Sequence, residues 1–280
     1  MALYVTKLAC ELPELRGVPL AFWDCTELAR QLIVDGVVDT ISGETVRRIL
    51  AANQLKPWRQ RMWLSPKVPR DAAFAASVVG ICDLYTRALN KDEVVFCVDE
   101  KTNLQPRGRT SPTLPTRPKL PVRVEHEYLR SGALNLFAAL DTRRGHVIGW
   151  TATRKRADEF IAFLDLLDAS VDASITHIHL VLDNLSVHKS KAVAAWLGQH
   201  PRFIFHFPPV HCSWMNQVEQ WFSILARKAL RRLDFDTLLA LGRNIHRFIE
   251  RWDRHAHPFN WSTGSVTKIL AKCKPAMTLP

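Results

Sequence analysis

From residue 94 onward the chain alternates short apolar runs with amphipathic segments, and few folds accommodate that order. "VVFCVDE" (94–100), "ALNLFAAL" (133–140) and "GHVIGWTAT" (145–153) read as three strands, the last two joined by the turn "DTRRG". "DEFIAFLDLL" (158–167) reads as a helix, "IHLVLD" (178–183) as a strand, "KSKAVAAWLGQH" (189–200) as a helix and "RFIFHF" (202–207) as a strand. A long helix at 213–230 and another at 236–254 close the series. Three strands in succession, followed by alternating helices and strands, predict an α/β fold: a mixed sheet flanked by helices.

Within that frame two acids fall at predicted strand ends, Asp99 and Asp183, and a third, Glu219, falls in the helix after the last strand. In that helix Met215, Val218, Phe222, Leu225 and Ala229 repeat at spacings of three and four, so Glu219 sits at the border of the apolar stripe. If the first and fourth strands are parallel neighbours, Asp99 and Asp183 emerge side by side at the sheet's C-terminal edge, where α/β folds carry their sites. Converging carboxylates repel, and their hard oxygens suit Mg²⁺, or Mn²⁺ in its place. Two such ions activate a water or a 3′-hydroxyl and stabilise the leaving oxygen of a phosphodiester. A single strand-end aspartate is equally a helix cap, so the inference rests on the three together. Asn184 and His188 read either as site neighbours or as the cap and start of the helix at 189–200. Glu100 should face away from Asp99, because neighbours on a strand alternate. Trp214 and Trp221 read as packing residues.

Charge supplies an independent clue. Lys and Arg number 38 against 27 acids, a net charge of +11, which favours a polyanionic partner. Ahead of residue 70 two short helices are expected. "DCTELARQLIV" (24–34) turns Leu28, Leu32 and Ile33 inward behind a cap at Asp24 or Thr26. "SGETVRRILAA" (42–52), capped by Ser42, turns in Val46, Ile49 and Leu50 and turns out Arg47 and Arg48. The pair reads as a helix-turn-helix or as an ordinary helical hairpin. The segment 56–70 interleaves Lys56, Arg59, Arg61, Lys67 and Arg70 with Trp58 and Trp63, as an arm that follows a phosphate backbone would. The domain boundary is therefore set near 70, with a DNA-binding module and basic linker at 1–70 and a catalytic domain at 71–280. A basic, proline-rich insertion at 101–132, carrying Arg107 and Arg109, opens beside Asp99, and is either disordered or a DNA contact. No run of eighteen apolar residues appears, and the six scattered cysteines form no CxxC pair, so the expectation is a cytoplasmic protein without membrane span, disulfide framework or zinc site.

"CVDE" at 97–100, "LVLDNLSVH" at 180–188 and "PPVHCSWMNQVEQWFSIL" at 208–225 resemble the ribonuclease H-like catalytic domain of bacterial transposases of the mariner superfamily. There the acid triad has this order, with a last spacing in the mid-thirties; here 35 residues separate Asp183 from Glu219. The resemblance spans roughly residues 20–260. It implies a ribonuclease H-like sheet preceded by a helix-turn-helix-like module, and two-metal cleavage at terminal inverted repeats with strand transfer into target DNA by a homodimer in the bacterial nucleoid. It places Asp99, Asp183 and Glu219 as the metal-binding, catalytic acids and Asn184, His188 and Asn216 beside them. The basic pattern of the helix, linker and insertion, apart from the resemblance, predicts DNA contacts at Arg47, Arg48, Lys56, Arg59, Arg61, Arg107 and Arg109. Family members carry a further helix-turn-helix upstream, and the expectation is that this chain lacks it. The competing expectations are another ribonuclease H-like nuclease and a truncated remnant that binds DNA without cutting.

Overall fold

The computed structural model describes residues 1–59, 71–210, 212–231 and 234–261, together with 264, 267, 268 and 271. Arg61, Lys67, Arg70, Trp63 and His211 lie outside the described residues. The chain divides into two compact units, 1–65 and 66–280.

The first unit holds three helices, α1 (Ala2–Cys10), α2 (Cys25–Val34) and α3 (Gly43–Ala52). Asp24 caps α2 by accepting from the amides of Thr26 and Glu27, and Ser42 caps α3 by accepting from the Thr45 amide. Val5 and Leu8 of α1 complete a core with Leu28, Leu32, Val46 and Leu50. Ile33 is 43% exposed and lies outside this core, against the expectation. Gly43 makes the tightest joint. A Cβ there would lie 3.3 Å from the Cys25 carbonyl oxygen, so the first turns of α2 and α3 abut.

In the second unit the predicted order appears. Helix α4 (Ala72–Thr86) precedes β1 (Glu93–Leu104), β2 (Leu134–Asp141), β3 (Val147–Ala152), α5 (Ala157–Ser170), β4 (His177–Leu182), α6 (Lys191–Gln199) and β5 (Phe203–His206). Then come α7 (Val218–Leu225), a π-helical turn at Ala226–Leu230 and α8 (Leu238–Asp253). The long helix expected at 213–230 is thus broken into a 3-10 turn at Ser213–Met215, α7 and the π turn. The strands lie in the order β3-β2-β1-β4-β5. β1 is antiparallel to β2 and parallel to β4, and β5 runs parallel to β4.

Alternation in β1 decides what packs where. Val95 and Cys97 face the α4, α7 and α8 side, in one core with Trp221, Phe222 and Ile245. Phe96 and Val98 face α5 and α6, with Phe160, Phe163, Leu164 and Leu167. Each of those four is fully buried and contributes roughly 2 kcal/mol by transfer out of water. Both faces are covered, as the near-continuous apolar strands require. Among the described residues no helix is long and apolar enough to cross a membrane.

One expectation about β1 is corrected. Asp99 does not end the strand, which runs on to Leu104. Its parallel pairing with β4 stops at Val98↔Leu182, while its antiparallel pairing with β2 continues through Asp99↔Ala138 and Glu100↔Phe137. The polar "DEKTN" is held as strand by a neighbour on one edge only.

The insertion at 101–132 folds back on itself through isolated bridges, Arg109↔Tyr128, Leu114↔Arg123 and Arg117↔Leu120. The Phe235 amide donates to the Pro106 carbonyl over 2.8 Å and ties its base to the segment ahead of α8.

Candidate active site

Asp99 and Asp183 stand one residue beyond the last parallel pair of β1 and β4. Asp99 is buried in the sheet, and its Oδ1 accepts from the Glu100 amide at 2.7 Å. Asp183 is half-buried just past the end of β4, its Oδ1 accepting from the Leu185 amide. Glu219 lies exposed in the first turn of α7, where a carboxylate is favoured by the helix dipole.

The joint between β1 and α7 sets Glu219 relative to Asp99. Asn216 is buried, and its Nδ2 donates to the Val98 carbonyl at 2.8 Å, one residue before Asp99. The backbone amides of Gln217 and Val218, at the start of α7, donate to the buried Cys97 sulfur. Tyr85 fixes the same corner, its hydroxyl 3.1 Å from that sulfur and donating to the Met215 carbonyl at 2.7 Å. Nothing in the sequence marks Cys97 or Tyr85 for this work; only their apolar surroundings are visible there.

Burial pushes the Asp99 carboxyl up to about 8, and the charges of Glu219, Glu100 and Asp183 add to the rise against the Glu100 amide. No lysine or arginine pairs with Asp99 or Glu219 among the described residues. Asp183 goes the other way. Burial works to raise its carboxyl, but the His188 ring, the Leu185 amide and the charge of Lys155 hold it below its usual value.

His188 is 2% exposed and stands between two acids, with Nδ1 3.1 Å from Asp183 Oδ1 and Nε2 3.1 Å from Glu100 Oε1. Its ring packs on Phe160 at 4.4 Å. Burial works against its charged form, yet the two carboxylates raise the imidazolium to about 9. Glu100 therefore reaches the α5 side, opposite Asp99. Neither Asn184 nor His188 caps a helix: the cap of α6 is Ser190. Asn184 instead donates to the Pro208 carbonyl and accepts from Lys189.

The donor set fits a divalent cation in chemistry and charge. It offers hard carboxylate oxygens, an unpaired repulsion centred on Asp99, and the buried Asn216 Oδ1, which has no hydrogen-bond partner among the described residues. The side chains stand open. Among the described residues no three His, Cys, Asp or Glu groups are close enough to hold an ion as placed.

The basic residues expected to touch DNA are spread across both units. Arg47 and Arg48 are exposed on α3 and both engage Glu44, Arg47 through two bonds of 2.6 and 2.7 Å. Lys56 donates to the carbonyls of Leu50 and Ala51 at the end of α3, and Arg59 is exposed. Arg107 is exposed, whereas Arg109 is committed inward to Asp234 at 3.1 Å and to the carbonyls of Glu125 and His126. Trp221 is fully buried, and Trp214, though 43% exposed, stacks on Trp261, so both pack within the protein as expected.

Comparison with known proteins agrees with this architecture. The Mos1 transposase paired-end complex with left transposon end superposes with a TM-score of 0.51 at 13% identity, over 90% of this chain and 76% of that one. The mariner Mos1 paired end complex with Mg superposes with a TM-score of 0.50 at 13% identity, over 93% of this chain and 80% of that one. The likeness shows a ribonuclease H-like mixed sheet flanked by helices. In sequence, the insertion element IS630 uncharacterized 39 kDa protein of Shigella sonnei is 30% identical over 115 residues, 41% of this chain. That match spans a third of the relative's length. The family model described as DDE superfamily endonuclease matches residues 94–241, just over half of the chain and the whole stretch from β1 to the start of α8. The chain therefore belongs to the DDE superfamily of endonucleases.

Proposed function

We propose that this chain is a DNA transposase that cleaves phosphodiesters at transposon ends and joins them to target DNA, with Asp99, Asp183 and Glu219 as its metal-binding acids. The observation that carries this reading is the electrostatic one. Burial, together with the charges of Glu219, Glu100 and Asp183, pushes Asp99 to about 8, and among the described residues no lysine or arginine pairs with Asp99 or Glu219. Family membership implies a divalent metal. Mg²⁺, with Mn²⁺ able to replace it, would be held by the three acids as two ions, and supplies activation of the attacking hydroxyl and stabilisation of the leaving oxygen.

The chain's own residues prepare for this. Asn216 and the Cys97 sulfur fix the first turn of α7 against β1, so that Glu219 is carried on a rigid joint. His188 holds the Asp183 carboxylate with one ring nitrogen and Glu100 with the other. Exposed Arg47, Arg48 and Arg59 in the first unit present charge to duplex DNA. We read this unit as a helix-turn-helix-like module for the terminal inverted repeats, and the acting species as a homodimer on two ends. The similar Mos1 structures are paired-end complexes, which supports the same assembly here.

The test is incubation with supercoiled plasmid and Mn²⁺ or Mg²⁺, with EDTA and Asp183→Asn as controls. Metal-dependent nicking absent from the mutant is the expected result. Nicking that survives in Asp183→Asn removes Asp183 from the site, and bound but uncut DNA points to a non-catalytic remnant.

A further inference from the structure

Beyond Asp99, β1 continues for five residues to Leu104, and its last part walls a pocket of about 290 Å³. Four cations line it: Lys101 and Arg107 from β1 and the start of the insertion, Arg227 and Arg231 from the π turn and its end. Among the described residues no acid lines the pocket and none of the four cations forms an ion pair. Their neighbours behave otherwise, Arg109 being neutralised by Asp234. Four like charges lining one pocket without a counter-ion give it a positive potential that favours a polyanion.

The backbone around the pocket is unusual in two further ways. Asn103 and Arg107 both have φ of 57°, in the left-handed region that side chains other than glycine rarely adopt. The lining arginines come from a π-helical turn, a form that recurs at functional sites. Strained backbone of this kind persists where surrounding structure fixes it. Here the Phe235 amide bonds to the Pro106 carbonyl, and Gly108 admits the Phe235 carbonyl within 3.2 Å of where a Cβ would stand.

The pocket also adjoins the acids along two elements. Lys101 is two residues past Asp99, about 7 Å along the strand on the same face. Its Nζ lies 5.7 Å over the ring of Phe222, one helical turn beyond Glu219. Continuing along α7 leads to Arg227.

We propose that this pocket is a phosphate-binding subsite that grips the backbone of one DNA strand next to the bond being cut. The proposal rests on the transposase reading above and adds to it which groups hold the strand. Arg227 and Arg231 are exposed, so Arg227→Gln with Arg231→Gln removes two charges without disturbing the core. Lys91→Gln with Arg144→Gln, two exposed cations at the opposite end of the sheet, is the matched control.

Binding of a fluorescein-labelled 30-base-pair duplex is measured by anisotropy from low to moderate salt, alongside plasmid nicking by the wild-type chain. Each phosphate contact carries a slope of about 0.9 in log Kd against log salt, so the pocket pair should lower the slope by about two and the control pair by much less. Equal slopes for pocket and control variants, with wild-type nicking intact, overturn the subsite and leave the transposase reading in place. A wild-type chain that neither binds the duplex nor nicks plasmid overturns the transposase reading, and the subsite with it.

Discussion

Replacing the buried acid of β1 should make the metal-free protein more stable while destroying its activity. In the structure Asp99 is desolvated and repelled by Glu219, Glu100 and Asp183, and its carboxyl is pushed from 3.8 to about 8. An acid whose folded value is raised binds its proton more tightly when folded. The native state is therefore penalised progressively as pH climbs from about 4 toward 8, and not at all below that window. At pH 7 about three pH units of that window have been crossed, at about 1.36 kcal/mol each, so the penalty is on the order of 4 kcal/mol. Asp99→Asn removes the charge and keeps an acceptor for the Glu100 amide, but its own amide hydrogens remain buried, which returns part of the gain. A net stabilisation of roughly 2 kcal/mol is expected, or about 4–8 °C in melting temperature for a unit of this size. The assay is thermal unfolding in EDTA at pH 7 and pH 5, with and without Mn²⁺. The variant should melt above wild type at pH 7, the gap should shrink by more than half at pH 5, and Mn²⁺ should raise wild type far more than the variant. An Asp99→Asn protein that melts at or below wild type at pH 7 in EDTA refutes the charge-crowding argument.

Other positions give independent checks. Cys97→Ala leaves the Gln217 and Val218 amides without their sulfur acceptor, so urea unfolding should show a loss of about 2 kcal/mol and plasmid nicking should fall with it; Cys97→Ser should retain most of both. Gly145→Ala places a Cβ 2.2 Å from the His257 carbonyl oxygen at a φ of 76° and should cost more than about 3 kcal/mol. Gly36→Ala, with similar φ and open space, should cost only about 1 kcal/mol. Burial holds His206 down at about 4, with the neighbouring His179, 2.9 Å away, adding to the fall. A histidine whose folded value is depressed loses its contribution as pH falls, so stability should drop between pH 6.5 and 4. His206→Gln should flatten that part of an unfolding-versus-pH curve.

The order of strands and helices was readable because each element carries its own period and punctuation. Asp24 and Ser42 cap the helices at the positions their types imply, and the buried stripe of α7 follows the spacing of Val218, Phe222 and Leu225. The parallel adjacency of β1 and β4, conditional in the sequence, is the register that brings Asp99 and Asp183 together. What could not be read is what depends on partners remote in the chain. The extension of β1 past Asp99 is dictated by β2, some thirty residues on, and its polar residues carry no strand signal of their own. Helix α1 joins a core that only α2 and α3 complete. The His188 link to Glu100 spans 88 positions and looks, in sequence, like a residue at a helix start. The insertion's folded-back course is set by bridges between residues with no alternating pattern.

The continuation of β1 through the two acids has a consequence for how such a chain tolerates insertions and deletions during its descent. Asp99 serves one side of the sheet and Glu100 the other, and β2 fixes which is which by pairing Asp99 with Ala138 and Glu100 with Phe137. Because strand side chains alternate, gaining or losing a single residue between Glu93 and Val98 would exchange the two carboxylates, turning Glu100 toward α7 and Asp99 toward His188. The sheet would still present an acid on each side, yet each would have the wrong length of side chain and the wrong partner. Length variation should therefore accumulate in the stretch 110–125, which hangs from the sheet by its base, and be nearly absent from the six residues that count out the pleat.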